Sequence, residues 1–198
     1  MTLPAPSVPS AESGIADSLP EDGVWLFVLG DLIVYSVLFV LYASAAASDP
    51  DGFSSGQALL STPVAVVNTL VLLTSSWLVA RAMWSVRARA FVPAVRFLQG
   101  ARACALVFIG LKVTEYGLHV QQGYYLTSSD FLMYYYVLTG LHLVHVLVGT
   151  LVLTLMLRFV RSQEMSSHGL RGLGGGAVFW HLVDLLWLML FPLLYLVR

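Results

Sequence analysis

The sequence predicts an all-α polytopic membrane protein, a bundle of five transmembrane helices with a cytoplasmic N-terminus and its C-terminus outside. Three observations carry this. The 198 residues are 58% hydrophobic and only 11% charged, with a mean hydropathy of +0.82, whereas soluble domains hold roughly 25% charged residues. Five stretches reach the ~20 apolar residues that a helix needs to cross a hydrocarbon core of ~30 Å. The charges between those stretches alternate from loop to loop.

Residues 1–22 contain Pro, Ser, Ala, Glu and Asp but neither Lys nor Arg. A secretory signal begins with a basic segment, so this stretch reads as a flexible, uncleaved tail ahead of a membrane domain over 23–198. The first span runs from Val24 to about Ala46 and is closed by Ser48, Asp49, Pro50 and Asp51. The others cover about Pro63 to Trp84, Phe97 to His119, Phe131 to Phe159, and Ala177 to Val197 with Pro192 bending its last turns. Gly172 to Gly176 reads as a turn between the fourth and fifth spans.

Arg81, Arg87, Arg89, Arg96 and Arg102 flank the second loop, and Arg158, Arg161 and Arg171 flank the fourth. The first loop (48–61) and the third (121–130) have no Lys or Arg. Cytoplasmic loops carry the basic excess, which places loops two and four inside; five spans, an odd number, then put the N-terminus inside and the C-terminus outside. A net charge of −1 gives no attraction for nucleic acid. The single cysteine, Cys104, excludes an intrachain disulfide.

Ionisable groups within spans are costly unless they meet a partner or a cavity. The chain holds Asp31, Lys112, Glu115, His142, His145, His181 and Asp184 there, with His119 near an end. At ~1.5 Å per residue, Asp31 comes out roughly 10 Å deep, His181 and Asp184 roughly 6–10 Å, and His142 and His145 roughly 8–12 Å from the same face. These five therefore form one expected layer, with Lys112 and Glu115 toward the opposite end. The i,i+3 pairs His142/His145 and His181/Asp184 share faces, and the stripe of Lys112, Glu115 and His119 accommodates an internal ion pair. Such a layer serves as structural glue, as a proton antenna, or as a haem or metal site using His142, His145 and His181. A small proton-coupled transporter is a further reading, against which stands the lack of an internal repeat.

Gly140, Gly149, Thr139 and Thr150 thin the fourth helix, and Ser75 and Ser76 do so for the second or bond back to its backbone. Tyr124, Tyr125, Tyr134, Tyr135 and Tyr136, with Trp25, Trp77, Trp84 and Trp180, fit interfacial aromatic belts.

Two stretches are more specific. Residues 140–149, Gly-Leu-His-Leu-Val-His-Val-Leu-Val-Gly, resemble the GxHxxHVxxG signature of subunit III of haem-copper oxidases. Residues 179–187, Phe-Trp-His-Leu-Val-Asp-Leu-Leu-Trp, resemble that family's WHxVDxxW signature. Trp25 to Asp31 and Lys112 to Tyr116 match as well, so the resemblance covers about Gly23 to the C-terminus. Residues 68–70, 73–77, 130–135 and 190–195 look most like the NorE-type accessory protein of bacterial nitric oxide reductase.

The resemblance implies a non-catalytic subunit of the bacterial plasma membrane without a redox centre of its own. Its partner would be catalytic subunit I of a haem-copper oxidase or nitric oxide reductase, which carries the haem and the copper or iron, and it would otherwise touch membrane lipids. It also implies that Asp31 belongs to a proton-uptake neighbourhood, with Glu115, His142, His145, His181 and Asp184 as the family's buried polar set.

Overall fold

The computed structural model describes residues 22–162 and 167–196, and every regular element among them is helical. They are α1 (Asp22–Ser48), α2 (Pro50–Gln57), α3 (Thr62–Arg87), α4 (Phe91–Gln121), α5 (Asp130–Ser162) and α6 (Ser167–Tyr195). All but α2 are long and apolar enough to cross a membrane, and the chain is a multi-pass membrane protein. The tail expected over 1–22 lies, except for Asp22, outside the described residues.

α3, α4, α5 and α6 close into a ring of four, each against its chain neighbour, with α6 returning to α3. α1 lies outside the ring, in the groove between α5 and α6. Half of the central apolar stretch of α6 is buried, against 6% for α1. The centre of the ring is filled by Leu72 and Val79 of α3, Phe108 of α4, Leu138 and Val146 of α5, and Trp187 of α6.

Local chemistry sets the helix ends. The Asp49 side chain accepts from Gly52 N at 3.0 Å and Pro50 occupies the first turn, so the loop after α1 restarts as α2, a helix the sequence reading left out. Phe53 of α2 then packs edge-on against Tyr42 and Phe131. α3 ends in a three-residue connection in which Ala90 N donates to Ser85 O and Arg89 N to Val86 O, both at 2.9 Å. This Schellman closure requires a left-handed residue, and Arg89 supplies it at φ 56°. α4 closes the same way at Gly123, where φ is 83°.

Small residues bring α3 and α4 together. Ala82 of α3 and Ala94, Ala101 and Ala105 of α4 are buried, and Ser75 Oγ donates across the seam to Ala101 O at 2.9 Å. Ser76 also bonds to a neighbouring helix. Both serines therefore link helices, and neither bonds back to its own backbone.

Several boundaries and packing roles differ from expectation. The third span begins at Phe91, six residues before Phe97, because Arg96 and Arg102 lie within an extended helix end. The fifth begins at Ser167, and Gly172 to Gly176 are helical. Gly175 and Gly176 form a packing surface, whereas nothing lies within 4 Å of a Cβ built on Gly172. A Cβ on Gly176 would lie 2.8 Å from Met156 Sδ, and one on Gly175 3.2 Å from Val24. Trp180 is 1% exposed and belongs to the core, while Trp25, Trp77 and Trp84 are each more than half exposed. Tyr135 is likewise buried and not part of a belt.

Gly149 permits the expected close approach of a neighbour. Gly140 does not, since nothing lies within 4 Å of a Cβ built there. Gly140→Ala is therefore expected to leave the thermal unfolding midpoint in detergent unchanged or slightly raised, because alanine is the better helix former by about 1 kcal/mol. A drop of several degrees would mean that Gly140 has a neighbour after all.

Candidate functional site

The ionisable residues within the spans fall into three contact groups and an isolated histidine. The first group surrounds the chain's only lysine. Lys112 Nζ donates to Glu115 Oε2 at 3.0 Å, to Tyr195 Oη at 3.0 Å and to Tyr135 Oη at 3.2 Å. Both tyrosine hydroxyls donate in turn to Glu115 Oε1, at 2.8 Å from Tyr135 and 3.2 Å from Tyr195. The ammonium lies 5.1 to 5.8 Å from the rings of Tyr116, Tyr135, Trp187 and Tyr195. This confirms the expected ion pair and adds four aromatic faces whose quadrupoles favour a cation. His119 sits one turn beyond, its ring against Tyr135 and Tyr124.

The second group joins α1 to α5. His145 Nε2 is 3.0 Å from Asp31 Oδ1, while its Nδ1 donates to Leu141 O at 2.8 Å. Since a carbonyl only accepts, Nδ1 carries a proton. The Nε2–Oδ1 contact then needs a second proton, held by the imidazole as a cation or by Asp31 as a neutral acid. Either way the pair holds one proton between two heavy atoms. Asp31 Oδ2 and the hydroxyl of Tyr35, one turn away, are buried with no hydrogen-bond partner among the described residues, and the Tyr35 ring meets His145 edge-on at 5.9 Å.

The third group joins α3 to α6. Ser76 Oγ and His181 Nδ1 form a hydrogen bond at 2.6 Å. Asp184 interacts with both of these residues and keeps Oδ1 buried and unbonded among the described residues.

His142 joins none of the three groups. It is fully buried, its ring 5.2 Å from Trp187 and 5.7 Å from Phe108, and both ring nitrogens lack a partner among the described residues. The i,i+3 spacing leaves about 60° between His142 and His145, enough to aim one into the ring and the other at α1. Spacing alone did not show that His142 would meet Trp187 and Phe108 while His145 meets Asp31. His142, His145 and His181 therefore face three different neighbours, and no three metal-type side chains converge among the described residues. The geometry does not fit a metal centre built on these three histidines.

Sequence reasoning missed Tyr135 and Tyr195 as partners of the ion pair, Tyr35 beside the Asp31 pair, and Asn68. The Asn68 amide is buried with neither atom bonded among the described residues, next to Thr69, which accepts from Trp187 Nε1 at 3.0 Å. For Tyr135 a signal existed: Tyr135, Thr139, His142 and Val146 recur at helical spacing and all face the ring interior. A further apolar cavity of about 630 Å³ opens between α1, α5 and α6, bordered by Val24, Phe27, Val152, Met156, Gly172 and Gly176.

The family model for cytochrome c oxidase subunit III matches residues 21–197. Cytochrome c oxidase subunit 3 of Bacillus sp. (strain PS3) is 28% identical over 192 residues, which cover 96% of this chain and 92% of that protein. Cytochrome bo(3) ubiquinol oxidase subunit 3 of Pseudomonas aeruginosa is 26% identical over 174 residues, 88% of this chain and 83% of that protein. The Heme-copper oxidase subunit I+III of Aeropyrum pernix is 24% identical over 183 residues, 89% of this chain and 22% of that much longer protein.

Proposed function

The chain belongs to the cytochrome c oxidase subunit III family, and from that premise we propose that it is a non-catalytic membrane subunit of a haem-copper oxidase complex in a bacterial plasma membrane. The observation that carries the reading is the match along nearly the whole chain, 21–197. The Aeropyrum pernix relative supports the choice of partner, since its name assigns subunits I and III to one polypeptide. The redox centres, haem with copper or iron, then reside in the catalytic subunit I. The Arg-rich connections lie on the cytoplasmic side, which puts the N-terminus inside and the C-terminus outside.

Within this role the Asp31–His145 pair is a proton store. It holds one proton between Nε2 and Oδ1, and its free carboxylate oxygen and the Tyr35 hydroxyl are unclaimed among the described residues. Those are the two atoms to which a proton-carrying water would bond. The Lys112–Glu115 group has every charged atom satisfied, and its role is to fix the ring of helices.

Tagged purification from native membranes in mild detergent, with mass spectrometry of what co-purifies, tests the subunit reading. Recovery of a haem-copper catalytic subunit is the expected result. Its identity also decides between an oxygen-reducing partner and the nitric-oxide-reducing one suggested by the NorE-like residues 68–70, 73–77, 130–135 and 190–195. Recovery of this chain alone, from membranes that contain the partner, would refute it. Asp31→Ala is expected to leave assembly intact and to slow turnover-linked proton uptake several-fold. Asp31→Asn should do the same while keeping an acceptor for His145. Unchanged uptake in the assembled complex would remove the proton role.

A further inference from the structure

His181 is the exposed member of its group. Its Nδ1 is held by Ser76, but the residue lies open on the outer surface, and Nε2 has no hydrogen-bond partner among the described residues. Depth along the helices places it far from any headgroup. His181 is ten residues from Arg171 and fourteen from Tyr195, about 15 and 21 Å at 1.5 Å per residue. Ser76 is eleven residues from Arg87, about 16 Å, so both helices put the hydrogen bond near the middle of the bilayer. This is deeper than the 6–10 Å expected from sequence, because α6 starts ten residues before Ala177.

Trp77 follows Ser76 on α3, about 100° further round the helix, and is 58% exposed. Its indole N–H makes no hydrogen bond among the described residues, and at this depth an interfacial belt does not explain it. Exposed Leu73 of α3 and Leu185 and Leu188 of α6 border the two polar groups. Apart from Ser36 and Thr74, whose hydroxyl bonds back to Leu70 O at 2.7 Å, exposed positions near this depth include the apolar Val144, Leu147, Val148 and Leu151 on α5, and Val34 and Val37 on α1. Acyl chains satisfy those positions. They offer nothing to an imidazole nitrogen or an indole N–H.

We propose that the α3–α6 seam around His181 and Trp77 is the face that docks a transmembrane helix of the catalytic subunit, and that this helix presents a hydrogen-bonding side chain to His181 at mid-membrane depth. The proposal rests on the subunit reading above and adds the face and the chemistry of contact. α6 is flanked by α3 on one side and by α1 on the other, so a helix seated here lies one helix away from the Asp31–His145 pair. A polar group of this kind adds a modest, directional contribution to helix association in lipid beside side-chain packing.

The test uses the full chain with a photoreactive benzoylphenylalanine at Trp77, or at Leu151 on α5 diagonally across the ring. Each is irradiated in the native complex. An adduct of this chain with the catalytic subunit from position 77 and none from 151 is expected. An adduct from 151 alone, with co-purification intact, would overturn the face and leave the subunit reading standing. An adduct of two copies of this chain at position 77 would overturn the choice of occupant. Failure of the unsubstituted chain to recover a catalytic subunit would remove the premise itself.

His181→Leu makes the seam wholly apolar and lipid-compatible. It is expected to keep the chain at its normal level in membranes while reducing recovered catalytic subunit about tenfold, and His181→Asn should restore most of it. Recovery with His181→Leu equal to wild type would overturn the hydrogen-bond contact.

Discussion

Lys112→Met is expected to be among the most destabilising single substitutions in the chain, lowering stability by about 3–5 kcal/mol, the cost of removing one partner from a buried ion pair. The methionine occupies similar volume, so little of the effect comes from packing. What is lost is the cation for Glu115, whose Oε2 has Lys112 as its hydrogen-bond donor, and the centre of four aromatic rings. Glu115 then keeps only the two tyrosine hydroxyls, and both of these also lose their contact with Nζ. The check is the thermal midpoint in detergent together with the amount of chain in the membrane. Glu115→Met alone should be similarly damaging, since it leaves an ammonium facing neutral oxygens. The double variant Lys112→Met/Glu115→Met should recover much of the loss, because a fully apolar replacement leaves no buried charge unpaired. If the two single losses simply add in the double variant, the pair is not the unit that stabilises the ring.

The five spans, their charge alternation and the Lys112–Glu115 pair were legible because each depends on local composition or on spacing along a single helix. The partners across helices were not. Tyr195 lies 83 residues from Lys112, and nothing in an apolar C-terminal run distinguishes a tyrosine that reaches the core from one that anchors at an interface. His142 and His145 looked like one site because they share a helix face. Which neighbour each meets depends on how α1, α4 and α6 are arranged around α5. The glycines of α6 misled in a related way. Gly-rich sequence reads as a turn, but inside a bilayer the same absence of side chains allows helices to approach closely. Ser75 and Ser76 show the same limit, since a serine bonding back and a serine bonding across have identical local sequence.

Gly149→Leu is the second substitution with a large expected effect, about 3 kcal/mol or more, beyond the usual cost of an overpacked core position. A Cβ at Gly149 would sit 2.7 Å from Cε3 and Cζ3 of Trp180 and 3.5 Å from Phe179 Cε1. Trp180 is too rigid and too enclosed to withdraw, being 1% exposed, so α5 and α6 must separate. Gly149 lies one turn beyond His145, and α1 rests in the groove that α5 and α6 form. Widening that groove moves the surface on which Asp31 meets His145, so the damage should reach proton uptake in any complex that still assembles. Trp180→Leu removes the two colliding ring atoms, and the pair Gly149→Ala/Trp180→Leu should be more stable than Gly149→Ala/Trp180 by the midpoint of unfolding in detergent. Without rescue by Trp180→Leu, the close approach of Trp180 to α5 would not be what demands glycine at 149.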